Sequence, residues 1–206
     1  MNVLVIAPHP DDEAIGCGGA LRLHATSGDP PDRVVCVYLT SGELGLKHLP
    51  IAQAHAIREA EATAAAAILG IAQTHFLRQP DWFLADFIPQ TAELLADLLH
   101  QENPELIYLP HAQDNHPDHR ATTDILRATG FAPPATRTCE IWSPLTSFDH
   151  VQDITPVMHA KLRAIRAYKS QLTEFDYAQA IRGLNRYRGI LAGKCRYAEV
   201  FSTPQD

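Results

Sequence analysis

The chain has 206 residues, with 24 Asp and Glu against 17 Lys and Arg and a formal net charge of −7. This acidic balance, with no basic run anywhere, excludes a nucleic-acid backbone or an anionic membrane surface as partner, because both need clustered Lys and Arg. The length suits one α/β domain over residues 1–206 with a single substantial core.

The first strand is expected at Asn2 to Ala7, a continuous apolar run of the kind buried on both faces of a parallel sheet. Its apolar stretch is too short to span a bilayer and no charged n-region precedes it, so neither a signal peptide nor a transmembrane helix is expected. Ala7-Pro8-His9-Pro10-Asp11-Asp12-Glu13 follows, and three consecutive carboxylates repel one another unless something positive sits among them. A helix from about Asp12 to Ala25 places those charges at the positive end of its dipole. Arg33 to Thr40 is the second strand, and Ile51 to Leu69 an Ala-rich helix closed by Gly70. A short strand at Thr74 to Leu77, a loop at Pro80 to Phe83 and an amphipathic helix at Ile88 to Gln101 come next. The fourth strand, Leu106 to Leu109, leads into a second polar cluster, His111 through His119. A helix from about Asp118 to Thr129, a turn at Pro133-Pro134 and a strand at Thr138 to Trp142 complete a β-α repeat. The remainder reads as a helix from Pro156 to Leu172, a second within Phe175 to Leu191, and a short strand at Tyr197 to Phe201.

Strands alternating with helices predict a three-layer, Rossmann-like α/β sandwich with a mostly parallel sheet. In the order 3-2-1-4-5, strands one and four flank the switch point, where ligands bind beyond the carboxyl ends of the strands. Both polar clusters would then meet. Cys17, Cys36, Cys139 and Cys195 lie far apart with no C-x-x-C pair and read as buried thiols of a reducing compartment, so the cytoplasm is the expected location.

His9, one of Asp11 and Asp12, and the i, i+3 pair His116 and His119 form a donor set suited to a divalent metal with one position left open, as in catalytic sites. Such an ion lowers the pKa of a water towards about 7 and polarises a carbonyl. The spare carboxylate would take the water's proton, while the spare histidine would stabilise the oxyanion and protonate the leaving nitrogen. Hydrolysis of an amide or related acyl bond is the expected chemistry. A dinucleotide oxidoreductase is the rival suggested by Gly16-Cys17-Gly18-Gly19, but the turn that would hold pyrophosphate is occupied by Asp11, Asp12 and Glu13.

Pro8-His9-Pro10-Asp11-Asp12-Glu13 and Asp114-Asn115-His116-Pro117-Asp118-His119 resemble the motifs of the PIG-L/LmbE-like metal-dependent de-N-acetylases. Supporting matches include Thr40-Ser41-Gly42-Glu43, Arg58-Glu59-Ala60-Glu61 and Tyr168-Lys169-Ser170-Gln171. The resemblance implies an LmbE-like fold with His9, Asp12 and His119 as ligands to one divalent ion, Zn²⁺ or else Fe²⁺. It implies Asp11 as general base, His116 as oxyanion stabiliser oriented by Asp118, and Arg58 as a contact to substrate hydroxyls. Arg58 paired with Glu61 at i, i+3 is the plainer alternative. The implied substrate is a small N-acylated molecule such as an N-acetylglucosamine derivative. A non-sugar N-acyl compound such as an antibiotic intermediate, or a metal- or sugar-binding module without turnover, are the alternatives. Homo-oligomers are common in this family. The loops Gly45 to Pro50, Gln79 to Phe83 and Trp142 to Val151 are the expected pocket walls, with Trp82 and Trp142 as aromatics that could stack on a sugar.

Overall fold

Val3, Val5 and Ala7 pack with one apolar cluster and Leu4 and Ile6 with another. Only a strand covered on both faces can bury such a run, and β1 (Asn2–Ala7) does so at the middle of the sheet, between two parallel neighbours. In the computed structural model, which describes residues 1–173 and 175–204, the neighbours are β2 (Arg33–Thr40) and β4 (Leu106–Pro110). β3 (Gln73–Gln79) pairs outside β2 and β5 (Ala135–Cys139) outside β4, all parallel. This is the expected order 3-2-1-4-5. Two strands extend it. β7 (Ala198–Ser202) runs antiparallel to β5, and the unforeseen β6 (His150–Asp153) closes the edge, giving 3-2-1-4-5-7-6.

Helices cover both faces. α1 (Asp12–Thr26), α2 (Ile51–Leu69), α5 (Met158–Ile165) and α6 (Tyr177–Arg188) contribute to the cluster of Val3 and Val5. On the other face α3 (Ile88–Glu102) and α4 (Pro117–Ala128) cover Leu4 and Ile6. Gly70 ends α2 at φ 82°, a left-handed cap that glycine adopts without a Cβ clash. Among the described residues no helix is long and apolar enough to cross a membrane.

The predicted helix over Pro156 to Leu172 is interrupted. α5 stops at Ile165, and a 3₁₀ turn at Lys169–Gln171 follows, so that Tyr168 between them is turned inward and 1% exposed. α1 is also broken, at Cys17 (φ −139°, ψ 15°). The break is spliced by a buried ion pair: Gly19 N and Ala20 N each donate to the Glu199 carboxylate at 2.8 Å. Lys161 Nζ donates to Ile15 O at 2.8 Å and to Glu199 Oε1 at 2.6 Å. A Cβ on Gly16 would lie 2.6 Å from Cys139 Sγ, and one on Gly19 2.5 Å from Ile154 Cγ2. These glycines therefore serve close helix–sheet packing, which leaves the dinucleotide reading without support.

Candidate metal centre and active site

β1 and β4 are hydrogen-bonded neighbours, so the turns at their carboxyl ends face each other. After β1 the chain passes through Asp11 at φ 118°, a left-handed conformation that costs a residue bearing a Cβ about 1–3 kcal/mol. Three contacts hold it there. Arg58 Nη2 donates to Pro10 O and, at 3.3 Å, to Asp11 Oδ2. Asp11 N donates to Glu13 Oε2 at 3.1 Å, and Glu13 Oε1 accepts from Tyr168 OH at 2.5 Å. After β4 the backbone is relaxed. His116 caps α4 at φ −78°, its Nδ1 accepting from Asp118 N at 3.2 Å. Because Nδ1 accepts, the neutral ring carries its proton on Nε2.

The structure brings His9, Asp11, Asp12, His116, Asp118 and His119 together. Asp12 Oδ2 lies 3.1 Å from His9 Nδ1 and 3.2 Å from His119 Nε2. His9 Nε2 is 3.1 Å from Asp118 Oδ2 and 3.2 Å from Asp81 Oδ1. His119 Nδ1 is 3.1 Å from Asp114 Oδ1. Asp118 reaches His116 through its backbone N–H; its carboxylate instead accepts from Trp82 N at 2.7 Å and Leu84 N at 3.1 Å. Arg58 is 2% exposed and lines the cavity, and its Nη1 stands 3.9 Å from Glu61. Glu61 is already engaged by Ser170 N and Oγ, and Arg58 Nε and Nη1 carry no hydrogen bond among the described residues.

The electrostatics follow from packing these groups away from water. Burial pushes Asp11 up to about 6 despite Arg58 beside it. Asp12 is driven the other way: burial opposes its charge, but His119 and His9 hold it well below the carboxylate range. Burial works against protonating His119, yet Asp12 and Asp114 raise it to about 9; in the same way Asp118 and Asp12 raise His9. His116 is pushed down to about 4 by burial and by the charges of His9 and His119. The cluster thus draws positive charge onto His9 and His119 and keeps His116 neutral.

A divalent ion fits this donor set. His119 is fully buried, and neither of its carboxylate contacts is aligned as a hydrogen bond, so both ring nitrogens are unsatisfied among the described residues. Buried polar atoms rarely stay so unless a partner from outside the chain satisfies them. The separations of 3.1 and 3.2 Å about Asp12 Oδ2 are close to the edge of about 3.3 Å expected between tetrahedral ligands bonded at about 2 Å. Two groups have ligand atoms that all lie within 4.8 Å of one another: His9, His116 and His119, and His9, Asp81 and Asp118. The second group is the weaker cradle, since Asp118 and Asp81 already accept backbone hydrogen bonds from Trp82, Leu84 and Leu44.

Above the cluster opens a cavity of about 380 Å³, walled by Gly45 and Lys47, by Asp81 and Trp82, and by Trp142 from the three expected loops. Asp81 was not singled out in the sequence, although it directly follows a strand's carboxyl end. Its Oδ2 accepts from Leu44 N at 2.9 Å, while Asp81 N donates to Glu43 Oε1 at 3.0 Å, locking two walls together. Asp114 lay in the second motif without a role. Besides facing His119, it accepts from His116 N at 2.9 Å and from Trp142 N and Ser143 N at 3.0 Å.

A family model described as PIG-L, GlcNAc-PI de-N-acetylase, matches residues 4–129, and the chain belongs to this family. Diacetylchitobiose deacetylase of Thermococcus kodakarensis is 30% identical over 225 residues, covering 96% of this chain and 81% of that protein. The conserved protein TT1542 of Thermus thermophilus superposes with a TM-score of 0.86 at 30% identity, over 100% of this chain and 95% of that one. N,N'-diacetylchitobiose deacetylase from Pyrococcus horikoshii does so with a TM-score of 0.83 at 26% identity, over 97% and 82%.

Proposed function

We propose that the chain is a metal-dependent N-deacetylase that releases acetate from the nitrogen of an amino-sugar derivative. The observation that carries this reading is Asp12 Oδ2 standing between His9 Nδ1 at 3.1 Å and His119 Nε2 at 3.2 Å, with the second carboxylate, Asp11, lining the same cavity. His9, Asp12 and His119 would hold the ion, with Asp114 orienting His119 from behind as an outer partner. Two imidazoles and a carboxylate suit Zn²⁺, with Fe²⁺ as the second choice. When bound, the ion lowers the pKa of water and polarises the acyl oxygen.

The chain's own groups move the proton. Asp11, raised to about 6, accepts it from the attacking water and passes it to the amide nitrogen as the C–N bond breaks, releasing acetate and the free amine. His116 is neutral at physiological pH and donates its Nε2–H to the developing oxyanion, its tautomer set by Asp118 N. This differs from a protonated histidine as acid, because burial works against a charge on His116. Arg58 holds Asp11 and lines the cavity in which a substrate hydroxyl would lie. Four cysteines without a disulfide suit a reducing cytoplasm.

Fluorogenic detection of free amine after incubating the Zn²⁺- or Fe²⁺-loaded protein with N-acetylglucosamine, diacetylchitobiose and acylated peptides tests the reading. Amine release from the sugars, abolished by a chelator and restored by metal, is expected. Metal binding with no amine released from any substrate of the panel would overturn it.

A further inference from the structure

The acidic total of the chain hides one cationic region. Between Pro156 and Ala198 the sequence places 9 of the 17 Lys and Arg against 2 acidic residues. The fold gathers three of these cations, Arg182, Arg186 and Arg196, on Tyr197, the residue before β7. Arg182 Nε donates to Tyr197 OH at 3.2 Å, while Arg186 and Arg196 stand over its ring with Cζ 5.8 and 5.5 Å from the centroid. Arg186 Nη1 also donates to Arg196 O at 3.2 Å. The backbones beneath are fastened together. Asn185 Nδ2 donates to Ala198 O at 3.0 Å, and Gly189 approaches so closely that a Cβ there would lie 2.7 Å from Tyr197 N.

Three like charges in one place repel, and a carboxylate among them is the ordinary remedy. Among the described residues none of the three arginines forms an ion pair; the acidic side chains of adjoining elements are engaged elsewhere, Glu199 with Lys161, Glu140 with Arg188 and Asp153 with Thr155 N. The dipole of α6 accounts for Arg186 at most, since Arg182 stands inside the helix and Arg196 lies beyond it. Contact with the tyrosine ring attracts each cation but leaves their mutual repulsion in place. The hydrogen bond from Arg182, with the charges of Arg182 and Arg196, holds the Tyr197 phenol below its ordinary value, so the field at this point is positive.

We propose that Arg182, Arg186 and Arg196 form a binding site for a phosphate dianion, either free phosphate or the phosphomonoester of a small metabolite. None of the three lines the catalytic cavity, and the inference does not depend on the deacetylase reading. All three residues are exposed, so a ligand reaches them from solvent. Arg182 uses Nε and Arg186 uses Nη1 in these tethers, which leaves the other donors of both forks for a ligand. A planar guanidinium matches the oxygens of a carboxylate or a phosphate. A carboxylate has two oxygens and one charge, too few for three forks, whereas a phosphomonoester offers three terminal oxygens and close to two charges at neutral pH.

Isothermal titration calorimetry of the metal-loaded protein with inorganic phosphate, glycerol 3-phosphate and acetate tests the site. Saturable binding of phosphate or glycerol 3-phosphate is expected, weakened about tenfold in Arg196→Gln and lost in the double variant Arg182→Gln/Arg196→Gln. Whichever of the two binds more tightly identifies the source of the group. Thermal midpoints in phosphate-free buffer show that the variants are folded. Phosphate should then raise the midpoint of the wild type and leave that of the double variant where it was. Phosphate bound equally by wild type and double variant would place it on the metal and overturn the proposal. Absence of binding to the wild type, or acetate bound as tightly as phosphate, would overturn it as well.

Discussion

The two turns that make the site are built on opposite plans. The turn after β1 is under tension: Asp11 is held at φ 118° by Arg58 and by Glu13, itself fixed by Tyr168. The turn after β4 is relaxed, with His116 at φ −78°; Asp114 accepts from the turn's own His116 N, and Asp114 and Asp118 both hold neighbouring loops as well. One turn spends stability to aim a single carboxylate. The other exports rigidity to the pocket rim. Strain collects at Asp11, the proposed general base, while the proposed ligands His9, Asp12 and His119 have no positive φ.

Substitutions at the two turns test this contrast. The largest effect is expected at the first: Asp11→Ala should lower kcat by about 10²–10⁴-fold while metal content by elemental analysis stays near wild type, whereas His9→Ala should lose metal and activity together. Full activity in either variant would dismiss the assigned roles. Chelation should lower the melting temperature, since about 4 kcal/mol of stabilisation is expected for a ligand held at 1,000 times its Kd. The calorimetric shift should be restored by adding metal back. Glu13→Gln should reduce kcat by about tenfold with KM and metal content retained, because Asp11 is mis-aimed rather than removed; Tyr168→Phe should do the same more weakly. An unaltered kcat in Glu13→Gln would mean that the strained turn needs no outside support. The smallest effect separates strain from chemistry. Asp11→Gly should be inactive yet more stable by about 1 kcal/mol, while His116→Gly should be destabilised. Denaturant midpoints measure both, and a stability loss in Asp11→Gly would remove the case for stored strain.

Most of this architecture is legible in the residues. β1, β2 and α2 are bounded by clear signals: uninterrupted apolar runs, Gly70 as a cap, and breakers at Pro30 and Pro31. β6 was invisible because His150-Val151-Gln152-Asp153 is a short, polar edge strand paired with β7 alone, without apolar alternation. The strand expected at Thr138 to Trp142 lies earlier, at Ala135–Cys139, where the backbone follows β4. Beyond it Glu140 leaves the ladder to pair with Arg188. The site was legible as two motifs, but not its outer partners. Glu13 looked like an ordinary helix-start charge, and only the tertiary approach of Tyr168, 155 positions away, shows it buried against the Asp11 backbone. Asp81 acquires its Leu44 partner, and Asp114 its Trp142 and Ser143 partners, only when separate loops meet.

The splice in α1 has a consequence for how far the site extends. Because Gly19 N and Ala20 N are satisfied by Glu199 and Ile15 O by Lys161, the first turn of α1 is fastened to α5 and the turns after the break to the last strand. Losing one member of such a buried pair costs about 3–5 kcal/mol, and the penalty falls on the break in α1 that follows the turn carrying Asp12 and Glu13. The turn that carries the proposed general base is written near the start of the chain, yet part of what anchors its helix, Glu199, is written near the end. An alteration confined to β7 would therefore reach the chemistry without touching substrate, metal or any residue that lines the pocket.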